Sequence, residues 1–369
     1  MDFPFETLRR RPDVEGPDLV AVDAADRLIL DVSTGARDGV AARRIAVIGD
    51  TYGALTLAAS ASASGPVRVH QDSIVGERAL AANAADLGMP GAALPRPLDA
   101  TAVEGARVVL LRLPRSLDAL DDIAGLIARH ADRDVRVFAG GRIKHMSLGM
   151  NDVLRRHFAR VDVTHARQKS RVLIATGPGE GADPQPRRAT EDGLVVCAYG
   201  GVFAGAGIDI GTRLLLAHLP PTVPADVPAV DLACGTGVIA AALASRHPLL
   251  RVHAADVSAA AVASARATAE ANGVAERVRV VREDGLESMA EASAGFVALN
   301  PPFHSGAAVT GDLAPRLFAD AARVLRPGGE LWTVWNSPLR YRTALEQLVG
   351  PTRQIARNAK FTVTASTRR

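Results

Sequence analysis

Cysteine is nearly absent: Cys197 and Cys234 are the only two in 369 residues, and their local contexts differ and show no metal-ligand spacing. No disulfide framework and no cysteine-bound metal are expected, and a reducing cytoplasm fits. Lysine is almost missing too. Lys144, Lys169 and Lys360 are all there is, so nearly all positive charge is arginine. The formal net charge of +3 does not by itself mark a nucleic-acid binder. Short clusters at Arg9-Arg10-Arg11, Arg155-Arg156, Arg187-Arg188 and Arg368-Arg369 read as solvated faces and ends. No span of about 18 apolar residues free of charge occurs, which argues against a transmembrane helix. The opening Met1-Asp2-Phe3-Pro4-Phe5-Glu6 lacks the basic-then-apolar order of a secretory signal.

What is present, 48% apolar and 22% charged residues, describes a soluble globular chain long enough for two domains. Residues 1–40 mix Pro, Asp and Arg around the apolar stretch Leu28 to Val32, and are expected to lead into or cover a first sheet. Short apolar strands then alternate with Ala-rich helices. Strands are expected at Arg44 to Gly49, Val67 to His70, Arg107 to Leu111 and Val135 to Phe138, with helices near Ala54 to Ala63, Glu77 to Leu87 and Leu117 to His130. This alternation implies a doubly wound, mostly parallel α/β sheet. The Gly- and Pro-rich run Thr176 to Pro184 breaks the pattern, giving domains at 1–176 and 191–369 around a linker at 177–190.

The second half repeats the plan. Helices are expected over Ile208 to His218, from the Gly237 turn through Ser245, Ala259 to Ala271 and Pro315 to Leu325. Strands fall at Ala229 to Leu232, Val252 to Ala255 and Val278 to Val281, then along the run to Asn300, at Gly329 to Trp335 and at Lys360 to Thr364, the last antiparallel. Glu77 to Asn83 in the first half echoes Ala265 to Asn272 in the second. Leu111-Arg112-Leu113-Pro114 likewise occupies the place of Leu299-Asn300-Pro301-Pro302.

That last stretch reads either as a plain strand-ending turn or as the tip that carries the chemistry, a choice that rests on what lies upstream. A strand that stops at Asn300 delivers a polar residue to the carboxyl edge of the sheet, where ligands bind in open α/β folds. The Asn300 amide oxygen and the Pro301 carbonyl are two acceptors side by side, suited to an NH₂ group whose nitrogen attacks an electrophile. Phe303 is then placed to stack on a base carrying that amine. Arg112 offers donors only, so the first half reads as a degenerate copy without a catalytic site.

At the other element of the site, Asp231 ends a strand and Ala233-Cys234-Gly235-Thr236-Gly237 makes a tight turn into a helix whose amino end suits a carboxylate or a phosphate. Gly235 to Ala240 also satisfies a dinucleotide pattern, so a nicotinamide or flavin cofactor is a competing reading. Asp256, about twenty residues on, is placed for ribose hydroxyls in either case. Asp284 is placed for an adenine amino group. Asp231 before the turn and an amine-binding tip in the same sheet favour S-adenosylmethionine.

With Gly201-Val202-Phe203, Gly207-Ile208-Asp209-Ile210-Gly211-Thr212 and Asn300-Pro301-Pro302-Phe303-His304 in place, the second half resembles class I S-adenosylmethionine-dependent methyltransferases, and the whole chain resembles bacterial ribosomal RNA guanine-N2 methyltransferases; its first half and the ending Asn358-Ala359-Lys360-Phe361 look nearer the large-subunit type than the small-subunit type. That resemblance implies tandem Rossmann-like domains, the first degenerate and serving RNA binding or substrate presentation. It implies catalysis by Asn300, Pro301, Pro302 and Phe303, and cofactor contacts from Asp231, Ala233, Gly235, Gly237, Asp256, Asp284 and Asn300. Phe203, Asp209 and His304 would contact the substrate, ribosomal RNA or a ribosomal subunit precursor, and no metal or membrane is needed. Arg112 and Arg115 are expected to reach RNA phosphates. Two departures stand out: Ala233 replaces a usual first glycine, and Gly295-Phe296 replaces a usual acid at the start of the catalytic strand. The competing readings are methylation of a small-subunit guanine, of adenine N6 or of a protein glutamine, and a non-catalytic ribosome-assembly factor.

Overall fold

A computed structural model describes residues 3–16, 18–302 and 306–369, with side chains described for all of these except 306–312. The chain divides into two compact units, Met1–Gln185 and Pro186–Arg369.

The first unit is built on strands β1 (Ile45–Ile48), β2 (Val67–His70), β3 (Ala93–Pro95), β4 (Val108–Arg112), β5 (Arg136–Arg142), β6 (Phe158–Val163) and β7 (Ser170–Pro178), in the spatial order β3-β2-β1-β4-β5-β7-β6. Only β7 runs against the others. β1 is buried at every position, which is why it reads as an unbroken apolar run rather than an alternating one. One face packs on Leu120, Ile127 and Leu154, the other on Leu28, Ile29 and Leu55. Leu28 to Val32 thus belongs to a helix, Ala24–Arg37, that covers the first sheet. Gly140 and Gly141 do not end β5. The strand runs through them, and a side chain at Gly140 would collide with Ile29 of the covering helix.

The second unit opens with a hairpin, β8 (Arg187–Glu191) and β9 (Leu194–Ala198), joined by Asp192-Gly193 with φ of +51° and +79°. Both central residues are left-handed, as this two-residue turn requires. Its sheet contains β10 (Ala229–Leu232), β11 (Val252–Asp256), β12 (Val278–Arg282), β13 (Ala294–Leu299), β14 (Leu325–Asn336), β15 (Thr352–Arg357) and β16 (Phe361–Thr367), ordered β12-β11-β10-β13-β14-β16-β15, again with one antiparallel strand, β16. The two orders are the same order. The helix expected from Pro315 begins at Gly306 and carries Pro315 inside it.

The stretch 177–190 is less of a free linker than its composition suggests. β7 continues to Pro178, and β8 starts at Arg187. Between them the Ala182 N–H donates to the Gly125 carbonyl at 3.1 Å, and Asp183 accepts from His130 at 2.5 Å.

Register makes the internal repeat exact in position. Ile48 pairs with Leu111 across β1 and β4, and Leu232 with Leu299 across β10 and β13, so Arg112, the last residue of β4, and Asn300, the first beyond β13, each stand one residue past equivalent pairs. The helical echo is one turn out. Asn83 is the tenth residue of Ile74–Asp86, as Thr268 is of Ala259–Ala271. Asn83 holds the backbone N–H and C=O of Arg9, as Thr268 holds those of Cys197. Asn272, four residues on, holds those of Val195.

Candidate active site

The site forms where β10 and β13, adjacent and parallel, release the chain at their carboxyl ends. Beyond Leu232 the backbone turns through Ala233 at φ +57°, Gly235 at +53° and Gly237 at +73° into the helix Val238–Arg246. Nothing lies within 4 Å of where a Cβ on Gly235 would point, so the loop is open there. Gly237 is closed in: a Cβ would stand 2.7 Å from that of Ala265, so close helix packing requires glycine.

Asp231 is fully buried in β10. Its Oδ2 accepts from the Ala240 N–H at 2.9 Å, while Oδ1 is buried with no partner among the described residues. Burial pushes this carboxyl well above the usual carboxylate range, and the nearby Asp256 charge adds to the push. A cationic amine delivered to Oδ1 would remove both penalties. Asp256 accepts from the Gly235 N–H through Oδ2 and from the Ser258 N–H through Oδ1, each at 2.9 Å, and is thereby fixed beside the loop. An ammonium-bearing ligand with a ribose fits this set of acceptors. Asp284 is less available than expected: Arg316 donates to its Oδ1 at 2.6 Å and pairs with its charge. Cys234 is buried, and burial, with Asp256 and Asp231 adding, raises its thiol pKa well above the ordinary value, which makes it unreactive.

At the tip, Asn300 Nδ2 donates to Asp209 Oδ2 at 2.9 Å and to Thr212 Oγ1 at 2.8 Å. With both amide hydrogens committed, Oδ1 faces away, buried and without a partner among the described residues. Turning the amide over would set oxygen against a carboxylate, so the orientation is chemically enforced. Asp209 is held in turn as N-cap of the helix Ile210–His218, its Oδ2 accepting from the Thr212 N–H at 2.9 Å. Pro301 is buried and Pro302 exposed. Phe203 is 55% exposed on the loop before that helix. Phe303 and His304 lie outside the described residues.

Sequence reasoning named Asp209 and missed Thr212. The available signal was the spacing Asp209-x-x-Thr212, an N-cap followed by its N3 residue. Arg112 requires a correction. Its Nη1 lies 2.7 Å from Asp23 Oδ1 and 3.0 Å from Asp26 Oδ1, so it is ion-paired rather than held out for a phosphate. Among the described residues no group of three or more His, Cys, Asp or Glu is arranged to hold a metal, and no helix is long and apolar enough to cross a membrane.

Two family models together span most of the chain: an RLMG N-terminal domain over residues 2–179 and a methyltransferase small domain over 193–365. A ribosomal RNA large subunit methyltransferase G from Pseudomonas aeruginosa (strain UCBPP-PA14) is 36% identical over 368 residues, covering 96% of each chain. One from Streptomyces avermitilis is 36% identical over 369 residues, covering 96% of this chain and 95% of its own. The solved structure of the T. thermophilus 16S rRNA N2 methyltransferase RsmC, in complex with AdoMet and guanosine, superposes with a TM-score of 0.74 at 22% identity over 94% of this chain and 92% of that one. That likeness establishes the fold of both units, tandem class I methyltransferase sheets. With more than a third of its residues shared over nearly its full length, the chain belongs to the ribosomal RNA large subunit methyltransferase G family.

Proposed function

We propose that this chain methylates the exocyclic N2 amine of a specific guanine in large-subunit ribosomal RNA, with S-adenosylmethionine as methyl donor. The observation that carries the reading is the Asn300 tip, an amide whose donors are both tied down inside the protein while its acceptor waits, buried and unpaired. The donor, when bound, supplies a methyl group on a cationic sulfur. Asp231 Oδ1 is the acceptor for the ammonium of its methionine part, the open side of Gly235 admits it, and Asp256 takes the ribose hydroxyls.

The target base is turned out of its stack at a cost of a few kcal/mol. Asn300 Oδ1 and the Pro301 carbonyl would accept from the two N2 hydrogens, which aims the nitrogen lone pair; the N–C bond forms as the methyl leaves its sulfur, and the alkylated nitrogen gives one proton up to solvent. Positioning of this kind is worth roughly 7–11 kcal/mol in well-aligned cases, so a strong general base is not required. In the first unit Arg115, Arg142 and Lys144 crowd His145, whose pKa is lowered by desolvation and then by these charges and Arg112. This group of positive charges supports a role for this sheet edge in holding RNA phosphates.

The test is transfer of labelled methyl to purified large- and small-subunit ribosomal RNA with nucleoside analysis. N2-methylguanosine in large-subunit RNA, lost in Asn300→Ala, is the expected result; label in adenine or in protein would overturn the substrate. Asp231→Asn keeps an acceptor for the Ala240 N–H but removes the charge. It is expected to weaken S-adenosylmethionine binding by about 10-fold or more in calorimetry, since hydrogen bonds to charged groups are worth about 1.5–3 kcal/mol.

A further inference from the structure

The Asp209 carboxylate is divided between two tasks. Its Oδ2 accepts from the Thr212 N–H at 2.9 Å, the Thr212 hydroxyl at 3.2 Å and Asn300 Nδ2 at 2.9 Å. Its Oδ1 has no partner among the described residues. Asp209 is partly buried, and the carboxylate oxygen that these bonds leave over belongs to the side chain that holds the Asn300 amide.

We propose that Asp209 is the residue that selects guanine, by accepting the ring N1–H that sits beside the N2 amine. This rests on the guanine reading above and adds the means of discrimination. On guanine the ring nitrogen adjacent to the reactive amine carries a hydrogen, so a carboxylate and two neutral acceptors meet three donors on one edge. On adenine the nitrogen adjacent to its amine carries a lone pair, and the same carboxylate repels it. The remaining acceptors, Asn300 Oδ1 and the Pro301 carbonyl, recognise any NH₂ group and give no such choice. Thr212 is a positioning residue here: its hydroxyl accepts from Asn300 and its N–H holds Asp209.

The geometry also predicts how to reverse the preference. In Asp209→Asn the amide oxygen must take the place of Oδ2, because the Thr212 N–H and Asn300 Nδ2 both donate there. Its NH₂ then faces the substrate, a donor where an acceptor stood. Asparagine caps helices about as well as aspartate, so the fold is retained.

The experiment uses the full-length protein and synthetic large-subunit RNA carrying, at the position methylated by the wild type, either guanine or 2,6-diaminopurine, which keeps the 2-amine but has an acceptor at N1. Wild type is expected to favour guanine in kcat/KM by about 10- to 100-fold, the range for one charge-assisted hydrogen bond. Asp209→Asn is expected to bring that ratio to one or below. Thr212→Val is expected to slow transfer to both bases with the ratio unchanged, and Thr212→Ser to restore the rate. Equal use of both bases by wild type, or a wild-type ratio in Asp209→Asn, overturns the inference while leaving guanine methylation intact. Absence of N2-methylguanosine from the wild-type reaction overturns the underlying reading and this inference with it.

Discussion

The two units place different chemistry at equivalent positions. In the second, an N-cap acid (Asp209), the residue three further on (Thr212) and the strand tip (Asn300) form a neutral-to-anionic hydrogen-bonded triad that leaves the Asn300 amide oxygen buried and without a partner among the described residues. In the first, the same three places hold Asp23, Asp26 and Arg112, and the guanidinium lies across both carboxylates. The capping box of the helix Ala24–Arg37 completes the closure, with Asp23 and Asp26 each accepting from the other's backbone N–H. The turn after the first strand differs in the same sense. Asp50, at the place of Cys234, is buried and accepts from the Thr56 and Gly53 N–H groups, and Tyr52 is buried behind it. Gln71, at the place of Asp256, donates to the Asp50 and Thr51 carbonyls, whereas Asp256 accepts from the Gly235 N–H. Where the second unit has a carboxylate acceptor, the first has an amide donor spent on the protein's own backbone. Topology alone therefore does not make this sheet edge a site; the site needs polar atoms that the fold holds in place and leaves unsatisfied.

The largest break in this contrast is Asn300→Arg, which imports the tip of the first unit. Asp209 pairs with the new guanidinium, so melting temperature changes little, yet methyl transfer falls by at least about 100-fold, the scale for a misplaced reacting group. The converse test is Arg112→Met. Removing the cation strands Asp23 and Asp26, and denaturant unfolding is expected to show a loss of about 3 kcal/mol, since breaking a buried pair leaves uncompensated charge; S-adenosylmethionine affinity is expected to stay the same.

The acid cluster also gives the first unit a pH dependence. Burial pushes Asp26 up to about 7 against the pull of Arg112, and the charges of Asp23 and Asp50 add to the rise. Between about pH 4 and 7 the folded chain thus holds a proton that the unfolded chain releases, so this residue's contribution falls as pH rises through that window. Buried Asp50, raised in the same direction, adds to the slope. Asp26→Asn, followed by denaturant midpoints across that range, is expected to remove up to about 1.4 kcal/mol per pH unit, the value for one proton.

The smallest effect is at the turn. Ala233 has φ +57° where its counterpart, Gly49, has +76°. The second unit thus carries the strained residue and the first the relaxed residue. A left-handed alanine costs about 1–2 kcal/mol and an added glycine about 0.5–1 kcal/mol of chain entropy. Ala233→Gly should raise melting by about 1–2 °C and leave the transfer rate unchanged.

Period and punctuation in the chain made much of this legible. The helices Ala54–Ala63, Leu117–His130 and Ala259–Ala271 and the strands Val67–His70 and Ala229–Leu232 lie where spacing put them, because buried parallel strands and Ala-rich helices are both locally distinctive. β6, β7 and β15 were not foreseen: the edge strands β6 and β15 mix exposed Arg, Gln and Asp with apolar residues, so their identity comes from pairing, and β7, more apolar, runs into the Gly- and Pro-rich break. The hairpin turn Asp192-Gly193 is readable as a dipeptide and lies just past the 177–190 stretch whose composition argued for a linker.

The sequence by itself determined the repeat, the place of Asn300 and the contrast with Arg112, since strand ends are set by local pattern and donor inventories by residue type. Tertiary structure alone decided which acceptors stay free. Asp209 and Thr212 reach Asn300 across 91 and 88 residues, and Asp23 reaches Arg112 across 89. Whether an amide oxygen is left unsatisfied depends on which groups the folded sheet brings to its other end, and no local pattern encodes that.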